Sequence, residues 1–208
     1  MTTGADLLDL SPVMPVVVID DVSDAVPTAR ALLAGGIGVI ELTLRTPVAL
    51  AAIERVAAEV PEIVIGAGTV TSPAQAKEAA DAGAKFLVTP GTTDAVLEAA
   101  FATGLPFLPG ASTVSEAMRL AERGLTALKF FPAEASGGVA YLKSIAGPLP
   151  GLRFCPTGGI TVATAPDYLA LPNVGCIGGS WLTPKKSLAE KDFATVEQLA
   201  AEAATLAR

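Results

Sequence analysis

Eight short runs of β-forming residues recur along this chain, each followed by an Ala/Leu/Glu-rich stretch with helical spacing. That rhythm restricts the fold more than any single motif. The runs are Val13–Ile19, Ile37–Leu42, Ile63–Gly66, Phe86–Val88, Pro106–Leu108, Ala127–Phe131, Leu152–Cys155 and Val174–Ile177. Runs that are apolar on both faces need cover on both sides, which a parallel sheet sheathed by helices supplies. Eight such units in 208 residues predict a closed (β/α)8 TIM barrel near the lower size limit of that architecture. The rival, an open doubly wound sheet, would carry a nucleotide fingerprint after the first strand, and Val18-Ile-Asp-Asp-Val22 has none. No linker or change of composition divides the chain. It reads as one domain over residues 1–208, with residues 1–10 as a short helix capping the barrel bottom.

Local signals agree with this alternation. Thr46-Pro47 and Ser72-Pro73 each offer a hydroxyl at a helix N-cap and proline at the first helical position, where its missing N–H is not needed. Thr113, or the adjacent Ser112, together with Glu116 forms a capping-box pattern, and Thr161 is placed to cap the seventh helix. Gly36, Gly83, Gly104 and Gly124 stand where helices must turn left-handed toward the next strand.

Composition removes several classes of function. Hydrophobic residues make up 51% of the chain and charged ones 17%, so it buries a core. A formal charge of −7 argues against a basic face for nucleic acid or an anionic membrane, and any anionic ligand needs a local cluster of donors. There is no histidine, which excludes a Ser-His-Asp triad, a Cys-His dyad and an imidazole metal site. Proton transfer then falls to Glu, Asp, Lys, Tyr or water. Cys155 and Cys176 lie in apolar runs and read as buried reduced thiols. With no basic n-region after Met1 and no apolar stretch of membrane-spanning length, the chain is expected to be soluble and cytoplasmic.

In a parallel barrel, chemistry gathers at the carboxyl ends of the strands. Lys129, in Leu128-Lys-Phe-Phe-Pro132, stands inside a strand where an ammonium is costly to desolvate and a neutral amine suited to attack on a ketone is favoured. The structural alternative is a lysine whose head snorkels to water or pairs with Glu134. Lys85 also precedes an apolar run, but it opens its strand and so projects at the bottom. Lys77, Lys143, Lys185, Lys186 and Lys191 fall in polar or helical stretches. Glu41 ends the second strand either as a general acid/base or as the partner of Arg45, and the two roles are compatible. Arg45 suits a substrate carboxylate, or simply bridges a surface acid. Thr69 offers a hydroxyl in a Gly-Ala-Gly-Thr loop. Thr157-Gly158-Gly159 and Gly178-Gly179-Ser180 fall after the seventh and eighth strands, where barrels of this kind hold phosphate on backbone N–H groups.

These segments resemble a known family. Glu-Leu-Thr-Leu-Arg-Thr (41–46), Gly-Ala-Gly-Thr-Val (66–70), Thr-Pro-Gly (89–91), Lys-Phe-Phe-Pro-Ala-Glu (129–134), Arg-Phe-Cys-Pro-Thr-Gly-Gly-Ile (153–160) and Cys-Ile-Gly-Gly-Ser-Trp (176–181) are similar, in order and spacing, to the bacterial 2-keto-3-deoxy-6-phosphogluconate (KDPG) aldolases. Members of that family also act as 4-hydroxy-2-oxoglutarate (KHG) aldolases. The likeness runs from about Pro12 to Pro184.

The resemblance implies a class I lyase with no metal and no cofactor, a phosphorylated keto acid as ligand and a homotrimeric assembly. It implies Lys129 as the Schiff-base lysine, Glu41 as general acid/base, and Arg45 with Thr69 at the pyruvyl carboxylate. Pro90 and Phe131 would line the pyruvyl pocket, and Gly158, Gly159, Gly178, Gly179 and Ser180 would hold the phosphate. Thr157 matches the gluconate-type branch. The family's usual Ser-Pro-Gly is Thr-Pro-Gly here. Readings that stay open at this point are a galactonate-type aldolase or oxaloacetate decarboxylase using the same lysine, a phosphosugar isomerase, and a non-catalytic phosphate-binding barrel.

Overall fold

The structure, a computed structural model, describes residues 3–206. The chain opens with helix α1 (Gly4–Leu7) and then strand β1 (Val13–Val17), a 3-10 turn at Val22–Asp24, and α2 (Ala25–Ala34). It continues through β2 (Val39–Thr43), α3 (Ala49–Glu59), β3 (Val64–Gly68), α4 (Pro73–Asp81), β4 (Phe86–Val88) and α5 (Asp94–Thr103). Next come β5 (Phe107–Leu108), β6 (Gly110–Ala111), α6 (Val114–Glu122), β7 (Ala127–Phe130), a second 3-10 turn at Glu134–Ser136 and α7 (Gly138–Ile145). The last elements are β8 (Arg153–Pro156), α8 (Ala165–Leu169), β9 (Ile177–Gly179), α9 (Lys185–Ala189) and α10 (Phe193–Ala204).

All strand pairings are parallel, in the orders β5-β4-β3-β2-β1-β9 and β6-β7-β8, with a helix between successive strands except between β5 and β6. This is the α/β alternation that the apolar runs predicted. Nine strands appear among the described residues rather than eight, because extended chain continues past the fifth run, Pro106–Leu108, and resumes after Pro109 as β6. A proline has no N–H for the ladder. Here its carbonyl accepts from Lys129 N at 2.8 Å, while Gly110 N turns to the Thr89 hydroxyl at 2.9 Å. The last run begins later than predicted: Val174 only bridges Phe154, and regular pairing with β1 starts at Ile177. Beyond β8, Thr157 bridges Gly178 in the same parallel sense.

The sheet is curled. From β2 to β7 there are four strand spacings, which in a flat sheet amount to about 19 Å. Yet the side chains of Glu41 (β2) and Lys129 (β7) meet at 2.9 Å. One contiguous apolar core fills the space, with Met14, Ile40, Ile65, Leu87, Phe130 and Ile177 among its buried strand residues.

The helix boundaries follow the predicted chemistry, with two corrections. Ser72 caps α4 by accepting from Gln75 N at 3.2 Å with Pro73 at the first position, and Thr113 and Glu116 form the capping box of α6. Thr46 does not cap α3. Its hydroxyl donates to Ile19 O at 2.6 Å, tying the end of β1 to the β2 loop, and the helix starts later, at Ala49. Thr161 accepts from Thr164 N at 3.3 Å, which caps the turn upstream of α8 rather than α8 itself. The four helix-ending glycines, at 36, 83, 104 and 124, all have positive φ. Near helix α1, Asp9, just after it, pairs with Arg153 at the start of β8, and Leu7 and Leu8 are buried. Residues 1–2 of the predicted cap lie outside the described residues. No helix among the described residues is long and apolar enough to cross a membrane.

Candidate active site

Lys129 is the third residue of β7, in register with Gly110 on one side and Cys155 on the other. Its side chain points inward and is only 5% exposed. The Nζ atom donates to Glu41 Oε1 at 2.9 Å and lies 3.3 Å from Oε2. Glu41, in register with Val16 and Gly66, is 1% exposed. Two opposite charges removed from water together hold each other strongly in a low-dielectric interior. The pairing decides between the readings left open by the sequence: Lys129 neither snorkels nor pairs with Glu134, and Glu41 is the partner of Lys129 rather than of Arg45. Glu134 instead accepts from the Tyr168 hydroxyl at 2.6 Å.

The carboxylate is seated on a bare backbone. A Cβ built on Gly68, at the end of β3, would lie 2.5 Å from Glu41 Cγ and 2.7 Å from Cδ. The sequence singles out Gly-Ala-Gly-Thr for a threonine hydroxyl beside glycines that let the backbone come close, without saying what approaches them. The signal for Gly68 was present as a glycine inside a strand, which often marks close approach.

Arg45 and Thr69 meet at the rim above this pair, with Arg45 Nε donating to Thr69 Oγ1 at 3.3 Å. The guanidinium is exposed and makes no bridge to a surface acid among the described residues. Thr69 has φ of 58°, a left-handed conformation that is costly for a β-branched residue and that persists only where the surroundings impose it. Pro90, partly buried, is braced from beneath: the Thr89 and Thr92 hydroxyls lie 3.0 Å apart and Thr92 donates to Gly110 O at 3.0 Å. This threonine brace was not foreseen from the sequence. The Phe131 ring stands with its centroid 5.5 Å from Lys129 Nζ, within cation–π range.

On the opposite side, Thr157 is buried, and its hydroxyl reaches Cys155 O at 3.4 Å. It packs on Gly178, where a Cβ would fall 2.8 Å from Thr157 Cγ2. Gly158 and Gly159 follow with φ of 104° and 82°, and their N–H groups donate to no protein acceptor among the described residues. Gly179 lies at the end of β9, and Ser180 is exposed just beyond it. A cavity of about 700 Å³ opens from Arg45 and Ser180 past Asp20, Asp21 and Lys185. Lys129 and Glu41 do not line it.

The other lysines fall as expected. Lys85, Lys77, Lys143, Lys185 and Lys186 are exposed. Lys191, although exposed, is held by Asp24 and Asp21. Cys155 and Cys176 are buried thiols.

The family model described as KDPG and KHG aldolase matches residues 5–199. The KHG/KDPG aldolase of Escherichia coli (strain K12) is 51% identical over 202 residues, covering 97% of this chain and 95% of that protein. Among solved structures, a Legionella pneumophila KDPG aldolase with pyruvate captured at low pH as a covalent carbinolamine intermediate superposes with a TM-score of 0.96 at 43% identity, over 98% of this chain and 99% of that one. The KDPG aldolase of Zymomonas mobilis ZM4 with 3-phosphoglycerate gives 0.93 at 45% identity, over 99% and 96%. The chain therefore belongs to the KDPG and KHG aldolase family.

Proposed function

We propose that this protein is a class I, Schiff-base aldolase that cleaves 2-keto-3-deoxy-6-phosphogluconate to pyruvate and glyceraldehyde 3-phosphate, and 4-hydroxy-2-oxoglutarate to pyruvate and glyoxylate. The observation that carries the reading is the buried contact of Lys129 Nζ with the Glu41 carboxylate at 2.9 Å. An amine within one hydrogen bond of a carboxylate supports the roles of nucleophile and base that covalent catalysis by an amine requires.

In this mechanism Glu41 accepts a proton from the Lys129 ammonium, and the freed amine attacks the C2 carbonyl to give a carbinolamine. Glu41 returns that proton to the carbinolamine hydroxyl, which leaves as water, and the resulting iminium is the electron sink. Glu41, once deprotonated, takes the C4 hydroxyl proton. The C3–C4 electron pair then flows toward the iminium, so the aldehyde departs and an enamine remains. Returning the proton from Glu41 to C3 and adding water to the iminium releases pyruvate and the amine. Arg45, steadied by Thr69, holds the pyruvyl carboxylate, while Pro90, Phe131 and Thr157 shape the pocket. The free N–H groups of Gly158 and Gly159, with Gly178, Gly179 and Ser180, receive the phosphate. Fixing both anionic ends of the substrate holds the C4 hydroxyl near the base, a contribution of several kcal/mol to rate in such systems.

The curled parallel sheet and the Thr157–Gly178 bridge support a finer reading of the fold as one closed (β/α)8 domain with this site at its carboxyl mouth. The same proposal includes a homotrimer in the cytoplasm and, from Thr157, preference for the gluconate epimer. Borohydride reduction in the presence of pyruvate tests the central step. The expected result is one stable adduct mapped to Lys129; an adduct on another lysine, or none, overturns it.

A further inference from the structure

The segment that follows β7 carries a contact, buried on its tyrosine side and open to solvent on its glutamate side, that the mechanism does not use. Tyr168, on α8, is completely buried, and its hydroxyl donates to Glu134 Oε1 at 2.6 Å. Glu134 belongs to the 3-10 turn just after Phe131 and Pro132. Its backbone N–H donates to Gly158 O at 3.1 Å, and the neighbouring Ala133 N–H donates to Thr157 O at 2.8 Å. Its aliphatic stem lies directly against Gly159: a Cβ there would fall 2.7 Å from Glu134 Cγ and 2.8 Å from Cβ. On the far side, Gly138 leaves room for the hydroxyl, since a Cβ on it would approach Tyr168 Oη to 3.1 Å. Each member of the pair thus lies against a glycine, Tyr168 on Gly138 and the exposed Glu134 on Gly159 of the loop proposed to receive the phosphate.

We infer that Tyr168 and Glu134 are positioning residues that set the Thr157–Gly158–Gly159 loop in the geometry that binds the substrate phosphate. The inference rests on the phosphate site proposed above. A carboxylate one residue's width from an anion site is a liability unless its direction is controlled, because like charges repel. The phenol supplies that control by pulling the carboxylate toward α8. Burial first, and then the carboxylate beside it, push the Tyr168 hydroxyl well above the usual phenol range, so it remains a donor throughout the working range of pH. The amides of Glu134 and Ala133 fix the carbonyls of Gly158 and Thr157, the Thr157 N–H donates to Phe130 O at 2.9 Å, and the N–H groups of Gly158 and Gly159 are left to donate.

The test compares phosphorylated with unphosphorylated substrate in the full-length protein. Tyr168→Phe keeps the packing and removes only the oxygen. It is expected to raise KM for the 6-phosphorylated substrate at least about five-fold, in keeping with a lost hydrogen bond to a charged group. The kcat on that substrate and KM for 4-hydroxy-2-oxoglutarate should change far less. Glu134→Ala should reproduce the effect, whereas Glu134→Gln, which still offers Tyr168 an acceptor oxygen, should recover most of the affinity. Equal losses on both substrates, or a lowered melting temperature with no change of KM, would mean the pair supports only the fold and would overturn the inference. If the unsubstituted protein shows no preference for the phosphorylated substrate, the phosphate site itself is wrong and the inference falls with it. If the preference is present and Tyr168→Phe leaves it intact, the site stands and only the positioning role is refuted.

Discussion

Substituting Gly68 by alanine adds one methyl group to the molecule at the place where it does most to the proposed chemistry. Gly68 pairs with Thr43 in the β2–β3 ladder, and its carbonyl accepts from Leu44 N at 2.8 Å, so the backbone is not free to retreat. Its φ is not positive, so alanine meets no conformational penalty there. The methyl would stand 2.5 Å from Glu41 Cγ, whereas ordinary contact needs at least 3.4 Å, so the glutamate must shift by about 1 Å. That is a third of the 2.9 Å hydrogen bond linking the carboxylate to Lys129. A misplacement of about 1 Å at a reacting group costs roughly 10²-fold in rate. Gly68→Ala is therefore expected to lower kcat on KDPG about 10²-fold, measured as pyruvate release in a coupled dehydrogenase assay. The melting temperature should fall by only a few degrees, and borohydride should still label Lys129, because the amine itself is untouched. A kcat within three-fold of the parent, with the fold intact, would show that the carboxylate does not depend on this seat and would remove the geometric argument for Glu41.

Two further predictions separate the ion pair and the rim from the bulk of the fold. Lys129→Met should abolish turnover and also cost roughly 3–5 kcal/mol in urea unfolding, because Glu41 is left as a buried charge without its partner. Adding Glu41→Leu should restore most of that stability and none of the activity, and a single variant as stable as the parent would show that the pair is not buried as described. Thr69→Gly relieves the left-handed strain at the expense of chain entropy, so stability should change by less than about 1 kcal/mol. KM should meanwhile rise on both keto acids, since Arg45 loses its brace; a large loss of stability with unchanged KM would make Thr69 a structural residue.

The parts of this protein legible in the sequence are those set by local periodicity and turn chemistry. Apolar runs of both-face character announced parallel strands, and Ser72-Pro73 and the Thr113–Glu116 box announced helix starts that the structure places as expected. Thr46 was misread because its hydroxyl has a better acceptor, Ile19 O, 27 residues earlier, and a local pattern carries no record of a partner that distant. The same limit hid the central contact. Lys129 and Glu41 could each be picked out as a charge at the end of an apolar strand, but the choice among Glu134, Arg45 and one another required knowledge of how the sheet curls over four strand spacings. Tyr168 gave no signal at all, since a tyrosine in a short helix is ordinarily core.

Glycines carry more of the site than their loop-forming habit suggests. Gly68 seats Glu41 and Gly159 seats Glu134, while Gly178 seats Thr157 and Gly110 lies where a Cβ would press to 2.5 Å on Thr89 O beneath Pro90. In each case a side chain or loop of the site rests on the bare backbone of a neighbouring segment; at Gly68, Gly110 and Gly178 that backbone is held by strand pairing, and at Gly159 through the hydrogen bond that its neighbour Gly158 accepts from Glu134 N. A seat made of backbone cannot change rotamer, so the groups on it inherit the rigidity of the sheet. Side chains would be a softer support, because they hop among rotamers even in a dense core. It follows that Gly68, Gly110 and Gly178 are constrained by the placement of their neighbours rather than by their own conformation, whereas Gly159, with a φ of 82°, is constrained by both. For Gly68 and Gly178, whose φ values any residue can adopt, damage from alanine should therefore appear in turnover before it appears in stability.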